Sequence, residues 1–229
     1  MKKIVVLTGA GMSADSGLAT FRDAGGLWEG YDVQEVASVH GWRKDPETVL
    51  EFYNARRRQL ADAQPNAGHR ALARLEASCE VTVITQNVDD LHERAGSSDV
   101  LHLHGELTKA RSVENDDHVV NIGYDPIHLG DTDEQGHQLR PHIVWFGERV
   151  PMMEKAAGIM QEAELLMVIG TSLVVYPAAG LVDFAPAGIP RYLIDPARPE
   201  LISLEGWTYI PRKAAQGTPE LAEKLLGNK

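Results

Sequence analysis

The sequence predicts an α/β fold, a doubly wound and mostly parallel sheet with helices on both faces, and three features carry that prediction. Residues 4–7 (IVVL), 81–85 (VTVIT) and 165–169 (LLMVI) are continuous apolar, largely β-branched runs, too short for helices and suited to strands buried on both faces. Helical stretches at residues 46–61, 66–75 and 156–164 alternate with them. Small, polar residues follow each run, where open α/β sheets place their ligands.

The first run leads straight into Gly9, Ala10 and Gly11, whose near-absent side chains let backbone N–H groups approach a pyrophosphate. Ser13 and Ala14 then read as a helix N-terminus, which makes the local pattern G-x-G-x-x-A. A tight strand-to-helix turn needs small residues with or without a ligand. Dinucleotide-binding oxidoreductases next place an acid about 20 residues on, at the end of a second strand. That strand is missing here. Residues 20–31 instead hold Phe21, Arg22, several glycines and Trp28, and read as a loop that closes over a bound nucleotide.

Residues 46–61 (PETVLEFYNARRRQLA) predict a helix with Pro46 in its first turn and Asp45 as cap. Val49, Tyr53, Arg56 and Leu60 follow helical spacing and should share the inward face. A guanidinium placed there wants an anion; the alternative is that Arg56 pairs with a nearby acid or snorkels outward with Arg57 and Arg58. After a second helix begun by Asn66, the run at 81–85 delivers Gln86, Asn87 and Asp89 to one strand end. Asn87 can cap a helix reaching Ala95, with Gly96 beyond it, but capping does not account for all three polar groups.

Residues 100–103 form a short strand that brings in His102 and His104 before Gly105. Alternation sends both imidazoles the same way; such a pair is structural or metal-directed. Residues 109–140 are rich in Asp, Asn, Gly and His, and the wide spacing of His118, His128 and His137 favours a solvated loop module. Strand character returns at 141–148 (PHIVWFGE). Gly170, Thr171 and Ser172 close the run at 165–169 with a turn suited to phosphate or ribose, residues 191–194 make a further strand ending in Asp195, and residues 218–226 a last helix. The whole is one Rossmann-like domain: a large lobe of about residues 1–19, 63–105 and 141–229, and a small lobe made from two insertions, about 20–62 and 106–140.

Composition narrows the function. A chain of 229 residues suits one sizeable core, and a net charge of −11 argues against phosphate-backbone binding, hence against nucleic acid as partner. Lys2 and Lys3 precede an apolar run that Gly9 ends before signal-peptide length, and no segment approaches a membrane span. The single cysteine, Cys79, excludes an internal disulfide framework and any multi-cysteine zinc site, and fits a reducing cytoplasm; it reads as a small apolar residue.

Taken together, GAGMSADSGLATFR at 9–22, TQNVD at 85–89, His104 with Gly105, Phe146-Gly147-Glu148, and GTSLVVYP at 170–177 resemble, in content and order, the motifs of the sirtuin family of NAD-dependent protein deacylases. The resemblance covers nearly the whole chain. It implies NAD as cosubstrate, with its pyrophosphate on Gly9, Ala10, Gly11 and Ser13 and on Thr171 and Ser172, and with Asp15 and Gly170 also among the cofactor-binding residues. It further implies nicotinamide near Asp89, the nicotinamide ribose near Gln86 and Asn87, and Phe21 and Arg22 as cover. His104 would be the general base, with Asn87 also catalytic, and the products would be nicotinamide, free lysine and O-acyl-ADP-ribose. A substrate peptide carrying acylated lysine would add as a strand between Val144, Phe146 and Gly147 on one side and Val175 on the other. FYNARRRQL is similar to the subgroup whose Tyr-x-x-Arg pair, here Tyr53 and Arg56, recognises acidic acyl groups, implying desuccinylase and demalonylase activity beside deacetylation.

Two departures stand out. Family members usually hold a structural zinc on four cysteines in the region matching 109–140, and this chain has none there, so no zinc is expected. Asp195 stands where the family tends to place asparagine on the adenine ribose, which keeps NAD and should sharpen rejection of a 2′-phosphate. The competing readings are NAD hydrolysis or ADP-ribosyl transfer on the same fold, and a nucleotide-sensing module without catalysis, which would leave His104 without a task.

Overall fold

The apolar residues at 4–7 make β1 (Lys2–Thr8) the axis of the molecule. Its side chains alternate between two dry cores, Val5 and Leu7 in one and Ile4 and Val6 in the other, so layers must cover both faces of the sheet. The structure, a computed structural model, describes residues 1–18, 27–28, 30–199 and 203–227. After β1 come the short β2 (Leu27–Trp28) and β3 (Tyr31–Asp32), then α1 (Val33–Val36), α2 (Val39–Lys44), α3 (Pro46–Asp62) and α4 (Ala67–Leu75). β4 (Cys79–Thr85), α5 (Leu91–Ala95), β5 (Val100–His102), β6 (Gly105–Ser112), β7 (Val119–Asn121) and β8 (Leu139–Ile143) follow. The chain closes with α6 (Met153–Gln161), β9 (Leu165–Ile169), β10 (Arg191–Ile194), β11 (Trp207–Ile210) and α7 (Ala214–Leu225).

The main sheet has the order β11-β10-β9-β1-β4-β5 and is parallel throughout. Ala71, Leu72 and Leu75 of α4 and Leu221 of α7 cover one face; Ala156 and Met160 of α6, with Leu181 and Val182 of a 3₁₀ segment (Ala178–Phe184), cover the other. A second, smaller body joins the antiparallel sheet β7-β6-β8 to α1, α2 and α3 around Val36, Val49, Phe52, Tyr53, Leu60, Leu107, Ile143 and Trp145. Among the described residues, no helix is long and apolar enough to cross a membrane.

Local chemistry sets the helix starts. Asp45 accepts from Thr48 N at 3.1 Å ahead of Pro46, as the sequence predicts for α3. Asn66 caps α4 by accepting from Gly68 N and His69 N, while His69 Nδ1 accepts from Asn66 N: a capping box with histidine in place of Glu or Gln.

Several expectations are corrected. No α-helix begins at Ser13; residues 10–12 and 14–16 form two 3₁₀ turns, ended by Gly17 at φ 89°. Asn87 is not the cap of α5, because its side-chain amide turns to Ser13 while Asp89 accepts from Leu91 N at the helix entry. The strand expected over 141–148 is instead β8, and beyond Ile143 the chain bends. There Glu148 N bonds Trp145 O, and Gly147 takes φ 89°. Residues 109–140 hold the second half of β6 and all of β7 rather than loop alone. α7 begins at Ala214 and runs through Pro219, and β11 has no counterpart in the sequence reading.

Candidate functional site

β1 lies between β4 and β9; after β1 the chain leaves for β4 on one side, and after β9 for β10 on the other. The turns that follow β1 and β9 therefore diverge, and the crevice at this topological switch point is where an open α/β sheet binds its ligand. The two turns interlock. Gly9 N donates to Ile169 O at 3.1 Å and Gly11 N to Gly170 O at 2.9 Å. A Cβ on Gly11 would lie 2.8 Å from Gly170 Cα, and one on Gly170, which sits at φ 63°, would lie 2.4 Å from Met12 N. These glycines are thus demanded by backbone packed on backbone, whatever ligand the turns take. Gly170→Ala is expected to cost at least about 2 kcal/mol, from the left-handed backbone and the clash together, and chemical denaturation against the parent measures it. A loss under about 0.5 kcal/mol would contradict the interlock.

Ser13 sits under the first turn with its hydroxyl fully used. Its Oγ–H donates to Asp89 Oδ2 at 2.8 Å, and Asn87 Nδ2 donates to Oγ at 3.1 Å. His69 Nε2 lies 3.5 Å away. Because His69 Nδ1 accepts from Asn66 N, the proton is on Nε2, and this N–H faces Ser13. Burial lowers the His69 pKa to about 4, so the ring is neutral, and burial raises Asp89 to about 6 against its bonds from Ser13 and Leu91 N. Below this layer Thr8 Oγ1 donates to Thr85 Oγ1 at 2.8 Å, with His92 Nε2 at 3.1 Å from Thr8. Gln86 Nε2 donates to Thr171 Oγ1 at 3.1 Å, tying the β4 end to the β9 turn.

His104 lies beside these groups, just past β5. Its Nδ1 is 3.0 Å from Gln86 O, and since a carbonyl can only accept, Nδ1 carries the proton and Nε2 keeps a lone pair. Burial lowers its pKa below 6.5, so the neutral base dominates at pH 7. Its carbonyl accepts from Val144 N at 2.9 Å. Gly105 follows at φ 81° with His142 O 2.0 Å from where a Cβ would be, so the glycine after His104 is a requirement of the turn. His102 differs. Its Nδ1 faces Asn87 O at 3.1 Å and its Nε2 faces Glu93 Oε1 at 2.7 Å, both acceptors, and its pKa is raised, with burial opposed by the bond to Glu93. His102 is the more readily protonated histidine of the pair and His104 the less.

The remaining predicted residues spread around this crevice. Asp195 is buried at the end of β10 and accepts from Ala197 N; Ser172 is partly buried beside Thr171. Asp15 pairs with Lys213 at 3.1 Å. Ala10 is partly buried in the first 3₁₀ turn. Phe21 and Arg22 lie outside the described residues. Tyr53 is wholly buried, and its hydroxyl accepts from Trp145 Nε1–H at 2.9 Å, which leaves its own proton to give. Arg56 is half-buried, with its guanidinium carbon 5.2 Å from the Phe52 ring centroid. The inward face of α3 therefore needs correcting: the arginine fully buried is Arg57, which donates to Leu107 O at 2.7 Å and to Asn54 Oδ1. Burial lowers its pKa to about 10, so it stays charged.

The expected peptide edge is altered too. The N–H groups of Val144, Trp145, Phe146 and Glu148 already bond His104 O, Glu148 Oε2, Ala37 O and Trp145 O. Gly147 and Phe146 are exposed, as are Val174 and Tyr176 around Val175 across the crevice.

Residues 109–140 do not fit a structural zinc: no cysteine is present there, and among the described residues no group of three or more His, Cys, Asp or Glu side chains could hold a metal ion. Protein bonds hold the segment. Asn54 both donates to Ile127 O and accepts from Ile127 N, at 2.8 and 2.9 Å, and Asp133 accepts from Gln135 N and His137 N. Glu148 bridges Arg140 at 2.7 Å and Arg111 at 3.1 Å.

The sequence reading passed over His69, His92, Arg140 and Trp145, and gave Arg57 only as an outward companion of Arg56. Only His69 left a signal, in its place three residues after the capping Asn66.

Comparison with known proteins agrees with this geometry. The Sir2 family profile matches residues 9–177. A protein of Bacteroides thetaiotaomicron named NAD-dependent protein deacylase is 50% identical over 231 residues, covering 99% of each chain. A Helicobacter pylori protein of the same name is 51% identical over 226 residues, covering 99% of this chain and 96% of that one. Among solved structures, a Sir2 homologue in complex with NAD superposes with a TM-score of 0.88 at 38% identity, covering 99% of this chain and 90% of the other. A Sir2 complex with a p53 peptide and NAD gives 0.78 at 29% identity, covering 98% and 92%. With the switch-point crevice, the interlocked glycine turns and a neutral histidine at its edge, the chain belongs to the Sir2 family.

Proposed function

We propose that the protein is an NAD-dependent protein-lysine deacylase that removes succinyl and malonyl groups and also acetyl, releasing nicotinamide and O-acyl-ADP-ribose. The observation that carries this reading is His104: a neutral imidazole at the switch-point crevice whose Nδ1 is tied to Gln86 O, leaving Nε2 to accept a proton. NAD supplies the ribose carbon to which the acyl oxygen is transferred. The chain's part is to bind, orient and deprotonate. Gly9, Ala10, Gly11 and Ser13, with Gly170, Thr171 and Ser172, offer a crevice floor of backbone and hydroxyl groups suited to pyrophosphate, and Asp15 stands close to that turn. Asp89 serves the nicotinamide carboxamide, Gln86 and Asn87 the nicotinamide ribose, and Asp195 the adenine ribose. Asn87 reaches this task with its amide already aligned by Ser13. Nε2 of His104 takes the proton of a ribose hydroxyl, which then attacks the acyl carbon.

The substrate is an acylated lysine of another protein, entering between Phe146 and Gly147 on one side and Val175 on the other. On the first side most main-chain N–H groups are engaged, so the peptide leans on the Val174–Tyr176 side and on Gly147. Acidic acyl preference rests on Tyr53, whose hydroxyl proton is available, and on Arg56 a turn away. Arg57 adds positive charge to the same helix and makes no ion pair with a carboxylate among the described residues. The half-buried lone cysteine suits a reducing cytoplasm.

Incubation with NAD and a succinyl-lysine, acetyl-lysine or unmodified peptide tests the reading. Nicotinamide release that requires an acylated peptide, with the succinyl peptide preferred, is the expected result. Release without peptide would convert the protein to an NAD hydrolase or ADP-ribosyltransferase, and no release would leave a nucleotide-binding module.

A further inference from the structure

Tyr53 and Arg56 do not stand alone; a chain of contacts runs from the Tyr53 hydroxyl back to a buried ion pair. Trp145, 2% exposed, donates its indole Nε1–H to Tyr53 Oη at 2.9 Å. The guanidinium carbon of Arg140 lies 3.3 Å from the centre of the Trp145 ring. Arg140 is in turn held by a forked pair of bonds to Glu148, at 2.7 and 3.2 Å, and by a bond to Ile143 O at 3.0 Å. Glu148 also accepts from Trp145 N at 2.8 Å, so the carboxylate fixes both the cation above the indole and the backbone that carries it.

A phenol hydroxyl can accept and donate, and in a buried site its partners decide which it does toward a ligand. Here the indole N–H occupies an acceptor lobe of the Tyr53 oxygen. A cation over the ring withdraws electron density from the indole and strengthens its N–H as a donor, and hydrogen bonds in series reinforce one another, so the Tyr53 O–H becomes the better donor. We propose that Trp145, with Arg140 behind it, is a positioning residue that sets the Tyr53 hydroxyl as a donor and thereby selects acyl groups ending in a carboxylate. This rests on the acidic-acyl reading of Tyr53 and Arg56. Trp145 acts through the Tyr53 hydroxyl. Its role is to fix the direction of one proton.

The test is a double-mutant cycle on the ratio of kcat/KM for succinyl over acetyl peptide. Trp145→Phe keeps an aromatic ring under Arg140 and deletes the donor; because it also removes core volume, a second protein carries 3-benzothienylalanine at position 145, which keeps the indole shape and replaces N–H by sulfur. Both are expected to lower the ratio by about tenfold, the worth of one strengthened bond to a charged group, with acetyl activity within about threefold of the parent. In a Tyr53→Phe background neither change at position 145 should move the ratio by more than about twofold. Equal loss on both substrates, an unchanged ratio, or the same drop with Phe at position 53 would each overturn the proposal. Tyr53→Phe and Arg56→Met are measured alongside: if these leave the ratio at the parent value, the acidic-acyl reading itself fails, whereas a ratio that responds to them but not to position 145 defeats only the role given to Trp145.

Discussion

Replacement of His104 by alanine is expected to lower deacylation by about 10² to 10⁴-fold while NAD binding persists. The imidazole is held by its Nδ1–H on Gln86 O, so the substitution removes one side-chain bond, worth about 1 kcal/mol, and the fold survives. The residues proposed to bind NAD lie on other elements: the turns after β1 and β9, and the ends of β4 and β10. Calorimetric NAD binding within a few-fold of the parent, together with the rate loss, separates a missing base from a missing site. Activity within about threefold of the parent would refute the role. The pH profile adds an independent check. Burial depresses the His104 pKa below 6.5, so the base is free at neutrality and is lost only as pH falls through that lowered value. The acid limb of kcat/KM is therefore expected below pH 6.5, and a limb centred above 7 would exclude His104 as its source.

Arg56→Met is expected to reduce kcat/KM for succinyl peptide by at least about 10²-fold, roughly 3 kcal/mol of transition-state stabilisation, with a much smaller change for acetyl peptide. A carboxylate brought beside the wholly buried Tyr53 leaves water, and doing so unpaired costs several kcal/mol. A guanidinium can meet it with a forked pair of charge-assisted bonds, to which the Tyr53 proton adds a third. Acetyl has no group to use them. Methionine keeps the length and the apolar stem packed near Phe52, so a parallel loss on both substrates would reveal a structural arginine and withdraw the preference.

How far the sequence carried can be traced residue by residue. Residues 165–169 were legible to the residue as a strand, because a continuous apolar run bounded by polar residues has few other homes, and the helix at α3 was marked by its own cap. The crevice was legible as a set of motifs. What the sequence does not encode locally is which neighbour a polar group will find. Asn87 looked like a cap and became a partner of Ser13, because Asp89 was nearer the helix entry. Of three consecutive arginines the reading placed Arg56 inward, yet Arg57 is the one fully buried, since Leu107 O and Asn54 await it. Glycines 9, 11 and 170 looked like concessions to a phosphate and proved to be required by each other. The bend beyond Ile143 arises from Glu148 folding back on the Trp145 backbone, a contact invisible in a run that alternates like a strand.

The main sheet runs out on its shortest strands: β5 has three residues and β11 four, against seven in β1 and in β4. An intruding chain laid along either margin would find only a few rungs to hold, so folded molecules have little means of joining sheet to sheet. The sticky segments, IVVL and LLMVI, are the innermost ones, sealed between two layers until the molecule opens. Aggregation through these segments is therefore expected to follow unfolding, and a variant that holds the two glycine turns together more firmly is expected to keep longer in the tube.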